Sequence, residues 1–418
     1  MRTNSVIARL VVWSGFILGT GMTWCQPASE KAEHIDAQLL AVDTLPPAKA
    51  NAQALELFYA GRYREAEPLY RAALNRFERM GAVAERNRIV TAVNLGTLLR
   101  AEGRFPEAES LLLDSIHRAE TLEPFGTGKS SLEWAHAGSA LGALYLAWQQ
   151  LDKAEAFAFQ AHAIFNQRLD AGDLERVTNG ALLGTIYLEQ ARYQEAEVLL
   201  RATLDHADKR LAAVTYNQLA VIAVRQGRLE EAESLALDAR EMNRLEADPS
   251  GRMAAAIAGN LAKIRLLQKR YVDAEQNYRD AIAISETGLG KEHPETAKAC
   301  LNLATFYHIR GRDRGAEQLY WRAIEILEPL YGKDHALVLV ARNELADVLR
   351  AEGRYTESER LGGPSLAVLE DKLGQRDPRV LRALANKERL LASTKRAKEA
   401  AALRARIQEM SQGLQQTK

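Results

Sequence analysis

The chain has 418 residues, 47% hydrophobic and 26% charged, and its 55 basic and 55 acidic side chains balance to a formal net charge of zero. That is ordinary globular composition, long enough to bury one or two cores. A nucleic-acid binder usually carries a basic excess, and none is present here, so no nucleic-acid partner is expected.

Taken from the N-terminus, the first feature is an export signal. Arg2 and Arg9 form a basic start, and Leu10 to Leu18 (LVVWSGFIL) form an apolar core. The core is too short to cross a bilayer and has the layout of a secretory signal. Cleavage is expected after Cys25, with Thr23 at −3. The rival, a lipoprotein cut before Cys25, wants small residues upstream, and Trp24 is large. The expected organisation is a signal at 1–25, a linker at 26–46, a repeat region at 47–412 and a tail at 413–418. The mature chain would be periplasmic or extracellular with no membrane span; retention by the N-terminal segment is the alternative. Removal of Cys25 leaves Cys300 alone, so no intrachain disulfide can form and stability must come from packing.

The repeat region announces itself in LRAEGR, which stands at 99–104 and again at 349–354. The Glu-Ala step that follows it recurs along the chain. Its anchors are Ala66, Ala108, Ala154, Ala196, Ala232, Ala274, Ala316 and Ala400, with Ser358 in the eighth place. Successive gaps are 42, 46, 42, 36, 42, 42, 42 and 42 residues. The long gap carries PFGTGKSS at 124–131, and the short one is read as losing six residues between Asp208 and Ala213, outside the helices.

Each unit has the same inner grammar. Thirteen residues before the anchor is a leucine (Leu95, Leu141, Leu183, Leu219, Leu261, Leu303, Leu345), followed by a small residue such as Gly96 or Ala304. Five before the anchor there is often a glycine: Gly61, Gly103, Gly227, Gly311, Gly353. Beyond the anchor come a bulky residue and then another small one, as in Tyr320 and Ala323. The apolar spacing is helical on both sides of the glycine, which accepts the left-handed backbone that ends helices. Each unit therefore reads as helix A, a tight turn and helix B. One such pair cannot bury its apolar face; stacked pairs can.

This grammar resembles the tetratricopeptide repeat. The 42-residue step resembles its kinesin light chain type, most closely in GKEHPETAKACLNLATFYHIRGRDRGAEQLYWRAIEILE from Gly290 onward, echoed by GKDHA at 332–336 and GQRDP at 374–378. The resemblance implies an all-α fold, a right-handed α-α superhelical solenoid of about nine helix pairs. It also implies a non-enzymatic scaffold, monomeric, holding a peptide segment or helix of a partner protein on a concave face lined by A helices. A module that stacks on copies of itself is the second reading, against which the polar, helix-prone KRAKEAAALRARIQEM at 395–410 reads as a solubilising cap. An enzyme with an unrecognised site is the third.

Carried over by position, the residue before each core leucine faces that groove: Asn94, Gln218, Asn260, Asn302, Glu344 and Asn386. An amide can donate to and accept from a peptide backbone. Beside these stand Thr97 and Arg100, Thr185, Lys263, Thr305 and His308, Asp347 and Arg350, and Arg389. Because basic groups dominate this set, the units from Asn260 onward are expected to prefer an acidic or C-terminal peptide segment. The alternative is that the amides pack on the neighbouring A helix.

Other chemistry is not signalled. GTGKS at 126–130 lacks the first glycine of a phosphate loop, since Glu123 stands in its place, and no strand precedes it. No HExxH or Cys/His cluster occurs, so no metal or other cofactor is expected. His293 and His335 occupy the same position of successive units and read as caps or braces at the start of helix A. The EAE carboxylates (Glu65, Glu67, Glu107, Glu109, Glu195, Glu197) lie early in helix B, where negative charge favours the positive helix end. The second LRAEGR leads into Gly362-Gly363-Pro364, where helix B should continue, and a split or kink is expected there.

Overall fold

The computed structural model describes residues 45–59, 62–122, 131–246, 251–374 and 377–416. The expected signal at 1–25 and the GTGKS stretch at 126–130 lie outside the described residues. Among the described residues every regular element is a helix, and the chain divides between Ile222 and Ala223 into two compact units.

The first unit holds α1 (Pro47–Tyr59), α2 (Tyr63–Met80), α3 (Glu85–Ala101), α4 (Phe105–Thr121), α5 (Leu132–Ala147), α6 (Leu151–Arg168), α7 (Leu174–Glu189) and α8 (Tyr193–Leu204). The next helix, α9 (Lys209–Arg225), begins in the first unit and ends in the second. The second unit continues with α10 (Leu229–Glu246), α11 (Arg252–Leu267), α12 (Tyr271–Gly288), α13 (Pro294–Ile309), α14 (Asp313–Tyr331), α15 (Ala336–Ala351), α16 (Tyr355–Leu373), α17 (Pro378–Ser393) and α18 (Ala397–Gln416). Odd-numbered helices are A helices and even-numbered ones B. From α1 to α8 and from α10 to α18 successive helices pack on one another, and A helix touches A helix from α1 to α7 and from α11 to α17. This is a solenoid of helix pairs, as the repeat grammar implies.

The A-to-B turns share one conformation. Gly103, Gly227, Gly311 and Gly353 have φ of 76°, 77°, 71° and 81°. The units without glycine force the same region on Gln149, Ala191, Lys269 and Lys395, at φ of 62°, 61°, 64° and 61°. The following amide reaches back five residues in each case; Arg104 N donates to Leu99 O at 2.9 Å and Arg312 N to Tyr307 O at 2.8 Å. This bond satisfies a carbonyl that the helix end leaves orphaned.

The anchoring alanines are buried, as are the core leucines. A Cβ added at Gly96 or Gly184 would meet the Leu112 or Leu200 side chain at 2.8 Å, so the bulky residue of helix B rests directly on the A-helix backbone. Ser358, in the alanine place, donates its hydroxyl to Ala346 O at 2.6 Å, so a buried polar group is satisfied. Helices α5, α7, α13, α15 and α17 open with side-chain caps from Ser131, Asp173, His293, His335 and Asp377. The two histidines thus cap helix A, each accepting at Nδ1, from Glu295 N at 3.1 Å and from Leu337 N at 3.3 Å.

Two expectations are corrected. Helix α16 runs unbroken from Tyr355 to Leu373 with Pro364 inside it. Proline deprives the Arg360 carbonyl of its donor, but packing holds the helix together across this stretch. Gly362 lets α16 lie close on α15, where a Cβ would stand 3.0 Å from that of Ala346, and Ser365 Oγ donates to Leu361 O at 2.8 Å. The short gap is taken largely from a helix rather than from a loop. Helix α8 has 12 residues where α6 and α12 have 18, and Asp208 Oδ1 then accepts from Leu211 N at 2.8 Å as α9 begins.

Candidate binding face on the A helices

The amides before the core leucines sit where successive A helices meet. Asn94 Nδ2 donates to Asn51 Oδ1 at 3.2 Å, from α3 to α1. Gln218 Nε2 donates to Thr185 Oγ1 at 2.7 Å, from α9 to α7. Asn386 Nδ2 donates to the Asn343 carbonyl at 3.0 Å, from α17 to α15. Asn260 is buried on α11. Asn302 of α13 brings its Nδ2 to 4.0 Å from the place a Cβ of Gly259 would occupy. Thr305 donates to Leu301 O and shares a 2.9 Å contact with the Tyr320 hydroxyl. Where bonds form between A helices, they join neighbours, because a buried amide left unpaired would cost about 1–3 kcal/mol.

The charged groups of α13, α15 and α17 are likewise committed to one another. Asp347 is 3% exposed. It accepts from His308 Nε2 at 3.1 Å, from Arg350 Nε at 2.7 Å and from Arg389 Nη2 at 2.7 Å. His308 Nδ1 donates to Asp313 at 2.6 Å. Burial alone would raise the Asp347 carboxyl, but the His308 bond and the arginine charges hold it well below the usual carboxylate range. Burial opposes the His308 cation, yet its two carboxylate partners raise it above its ordinary value. Glu344 pairs with Arg382 in the same layer. The basic set expected to favour an acidic ligand is therefore neutralised internally from α13 to α17.

Several groups on A helices are left without a partner among the described residues, Asn179 Oδ1 and Thr215 Oγ1 among them. In the first unit, Arg100 has no hydrogen bond or ion pair among the described residues, and burial lowers its guanidinium from its ordinary value. Also in the first unit, Gln218 Oε1 is buried with no donor. In the second unit, Lys263 is 7% exposed with no acceptor among the described residues, and burial, aided by the Arg225 charge, pulls its ammonium down to about 7.

A second periodic feature lies at the turns. Arginine stands four residues before the anchor in every unit but the third, which has Gln150. In six of these units its guanidinium holds a glutamate 37 residues earlier, the residue just after the previous anchor. Arg104–Glu67 (2.9 Å), Arg192–Glu155 (2.6 Å), Arg270–Glu233 (2.8 Å), Arg312–Glu275 (2.6 Å), Arg354–Glu317 (2.8 Å) and Arg396–Glu359 (2.6 Å) repeat the pattern. Several also grip the acidic residue three positions on, as Arg354 does Glu357. The EAE carboxylates thus serve as rungs between units, a role that the helix-end reading missed. Spacing carried the signal, since GR-x-x-EAE repeats with the period. Tyr145 and Tyr307 add hydroxyl bonds to Glu109 and Glu275 at 2.6 and 3.0 Å.

Among the described residues no group of His, Cys, Asp and Glu is arranged to hold a metal ion, and no helix is long and apolar enough to cross a membrane. Cys300 is buried, its thiol pushed up to about 11.

Comparison with known proteins agrees with this architecture. Tetratricopeptide-repeat family models match residues 88–123 and the overlapping stretches 211–287, 253–328 and 295–362. Those stretches are tetratricopeptide repeats. The 42-residue step resembles that of the kinesin light chain-like type of the repeat. Among solved structures it is similar to a Rap protein complexed with competence and sporulation factor, at 13% identity and a TM-score of 0.52, covering 80% of this chain and 100% of that one. It is similar to a signal transduction ATPase with numerous domains from Pyrococcus horikoshii, which has a tetratricopeptide repeat sensor. There the identity is 15% and the TM-score 0.51, over 84% of this chain and 53% of that one. BtubC (BKLC) from P. vanneervenii aligns at 20% identity and a TM-score of 0.44, over 54% of this chain and 91% of its own. At these identities the likeness to the first two is one of fold alone. No curated protein matches the sequence. The architecture is that of a protein-binding repeat scaffold.

Proposed function

We propose that the chain is a non-enzymatic scaffold whose A-helix faces hold an extended segment or short helix of a partner protein. The observation that carries this is the contrast within those faces. In the first unit the amides Asn94 and Gln218 bond across to a neighbouring A helix, while Asn179 Oδ1, Thr215 Oγ1 and Gln218 Oε1 on α7 and α9 are buried with no partner among the described residues. Buried polar groups are otherwise paired in folded proteins, and a bound segment would supply the missing partners. The scaffold acts as a monomer, exported through the segment at 1–25; mass spectrometry of the mature N-terminus checks that cleavage.

The test is site-specific photocrosslinking in the native host. A photoreactive residue in place of Arg100, on A helix α3, should capture a defined partner. The same residue in place of Val198, 68% exposed on B helix α8, should not. Capture from Val198 alone, or equal capture from both, would overturn the assignment of the binding face.

A further inference from the structure

Both ring nitrogens of His308 face a carboxylate. Nδ1 stands 2.6 Å from Asp313 and Nε2 3.1 Å from Asp347. An ionised carboxylate only accepts, so both contacts are hydrogen bonds only while the ring carries two protons. The ring spans two junctions. His308 lies in the last turn of α13, Asp313 opens α14 in the same helix pair, and Asp347 lies on α15, the A helix of the next pair. Through Arg389, Asp347 is joined in turn to α17. Removing one proton leaves a single N–H for two acceptors.

The surroundings decide which acceptor keeps it. Asp347 is held without the histidine: Arg350 donates to its Oδ1 at 2.7 Å, and Arg389 donates to Oδ1 at 3.2 Å and to Oδ2 at 2.7 Å. Asp313 has no other side-chain partner among the described residues. Two guanidinium groups therefore compete for the lone pairs of Asp347, and none for those of Asp313. On the other side of α13, α11 carries Lys263 and α12 carries Glu275. Neither bonds to His308, and Glu275 is taken by Tyr307 and Arg312. In the layer beyond, Glu344 and Arg382 pair with each other. With both protons, His308, Arg350 and Arg389 set three positive charges against the two carboxylates; with one, the cluster balances. The proton can thus leave a buried site without stranding a charge there.

We propose that His308 is a proton-sensitive joint in the second unit. With both protons it ties α13 to α15; on losing one it keeps Nδ1–H on Asp313 and turns a bare Nε2 toward Asp347. Two sets of lone pairs then oppose each other, and this tie is cut while the α13–α14 turn and the bonds from α15 to α17 hold. The Arg354–Glu317 rung still joins the two pairs at their turns, so the loosening is confined to the A-helix layer. The two carboxylates raise His308 above its ordinary value. The joint is therefore closed below about pH 6.5 and opens as the pH climbs through the folded value.

The test labels the histidines of the full chain isotopically and follows their ring nitrogens by NMR from about pH 5 to about pH 10, the His308 signals being those missing from His308→Gln. The ring should pass from the doubly protonated form to the Nδ1–H form. Over the same range, protection of the amides in the last turn of α13, corrected for their intrinsic exchange, should fall about fivefold. Asp313→Asn offers Nδ1 a donor, so its neutral ring should carry the proton on Nε2, still bonded to Asp347, and the fall in protection should disappear. That change is isosteric at a partly exposed side chain, and circular dichroism checks that the variant folds; the ring of the natural chain is a test that needs no variant. An Nε2–H ring in the natural chain, a ring still doubly protonated at about pH 10, or constant protection through its titration would overturn the joint, as would an Nδ1–H ring in Asp313→Asn.

Discussion

The left-handed turn between helices A and B allows a reciprocal exchange. Lys269 is exposed and sits at φ 64°; Gly311, one repeat later, sits at φ 71° with nothing within 4 Å of where a Cβ would be. Space is therefore not at issue, and only the backbone conformation separates the two residues. A side chain in this region costs about 1–2 kcal/mol, and the extra freedom of glycine in the unfolded chain returns about 0.5–1 kcal/mol of that. Lys269→Gly should stabilise its helix pair by about 0.5–1 kcal/mol, and Gly311→Lys should destabilise its own by a similar amount. Hydrogen exchange of the amides that close each turn, Arg270 N to Arg265 O and Arg312 N to Tyr307 O, reads the effect locally. About 1 kcal/mol corresponds to about a fivefold change in exchange rate, slower in the first variant and faster in the second. Shifts of the same sign in both, or no shift in either, would refute the argument that one conformation is imposed at every turn whatever residue stands there.

Asp347→Asn should cost about 3–5 kcal/mol in urea unfolding, because His308, Arg350 and Arg389 lose their shared counter-ion in a buried setting; a loss under about 1 kcal/mol would show that the cluster is not coupled. Arg312→Gln removes one rung of the exposed arginine–glutamate ladder and should cost less than about 1 kcal/mol, shrinking further in high salt. The His293 cap needs a neutral imidazole, and burial, reinforced by the Arg252 charge, holds that residue down to about 4. With the folded value below the unfolded one near 6.5, its contribution is complete above about pH 6.5 and fades as the pH falls toward 4. Exchange in the first turn of α13 should accelerate over that window, and much less so in His293→Asn, whose side chain caps without titrating there. His308 has the opposite sign: its folded value is raised, so its contribution is present below about pH 6.5 and lost as the pH climbs through the folded value.

The repeat was legible because its determinants are local. An alanine every 42 residues, a leucine thirteen before it and a left-handed turn between them each follow from helix geometry within one unit. The pairing of polar groups was not, because it depends on the register of A helices that meet only after folding. Asn94 meets Asn51, and Asn386 meets Asn343, both 43 residues away, and no local pattern announces that the amide is used there. Asp347 looked like an exception in a basic set; in three dimensions it is the centre to which His308, Arg350 and Arg389 turn. The arginine–glutamate rungs were written plainly in the repeat, but the carboxylates already had a sufficient local explanation at the helix end, and the longer-range partner was not sought. At Pro364 intrinsic propensity pointed the wrong way, since the packing of α16 on α15 through Gly362 outweighs a missing hydrogen bond.

The most direct test of the scaffold reading is hydrogen exchange of the whole chain, alone and with the partner captured through α3. Slower exchange should concentrate on the A helices of the first unit, including α9 around Gln218, while B helices there such as α8 stay unchanged. Protection confined to the B helices, or spread evenly over both layers, would contradict it.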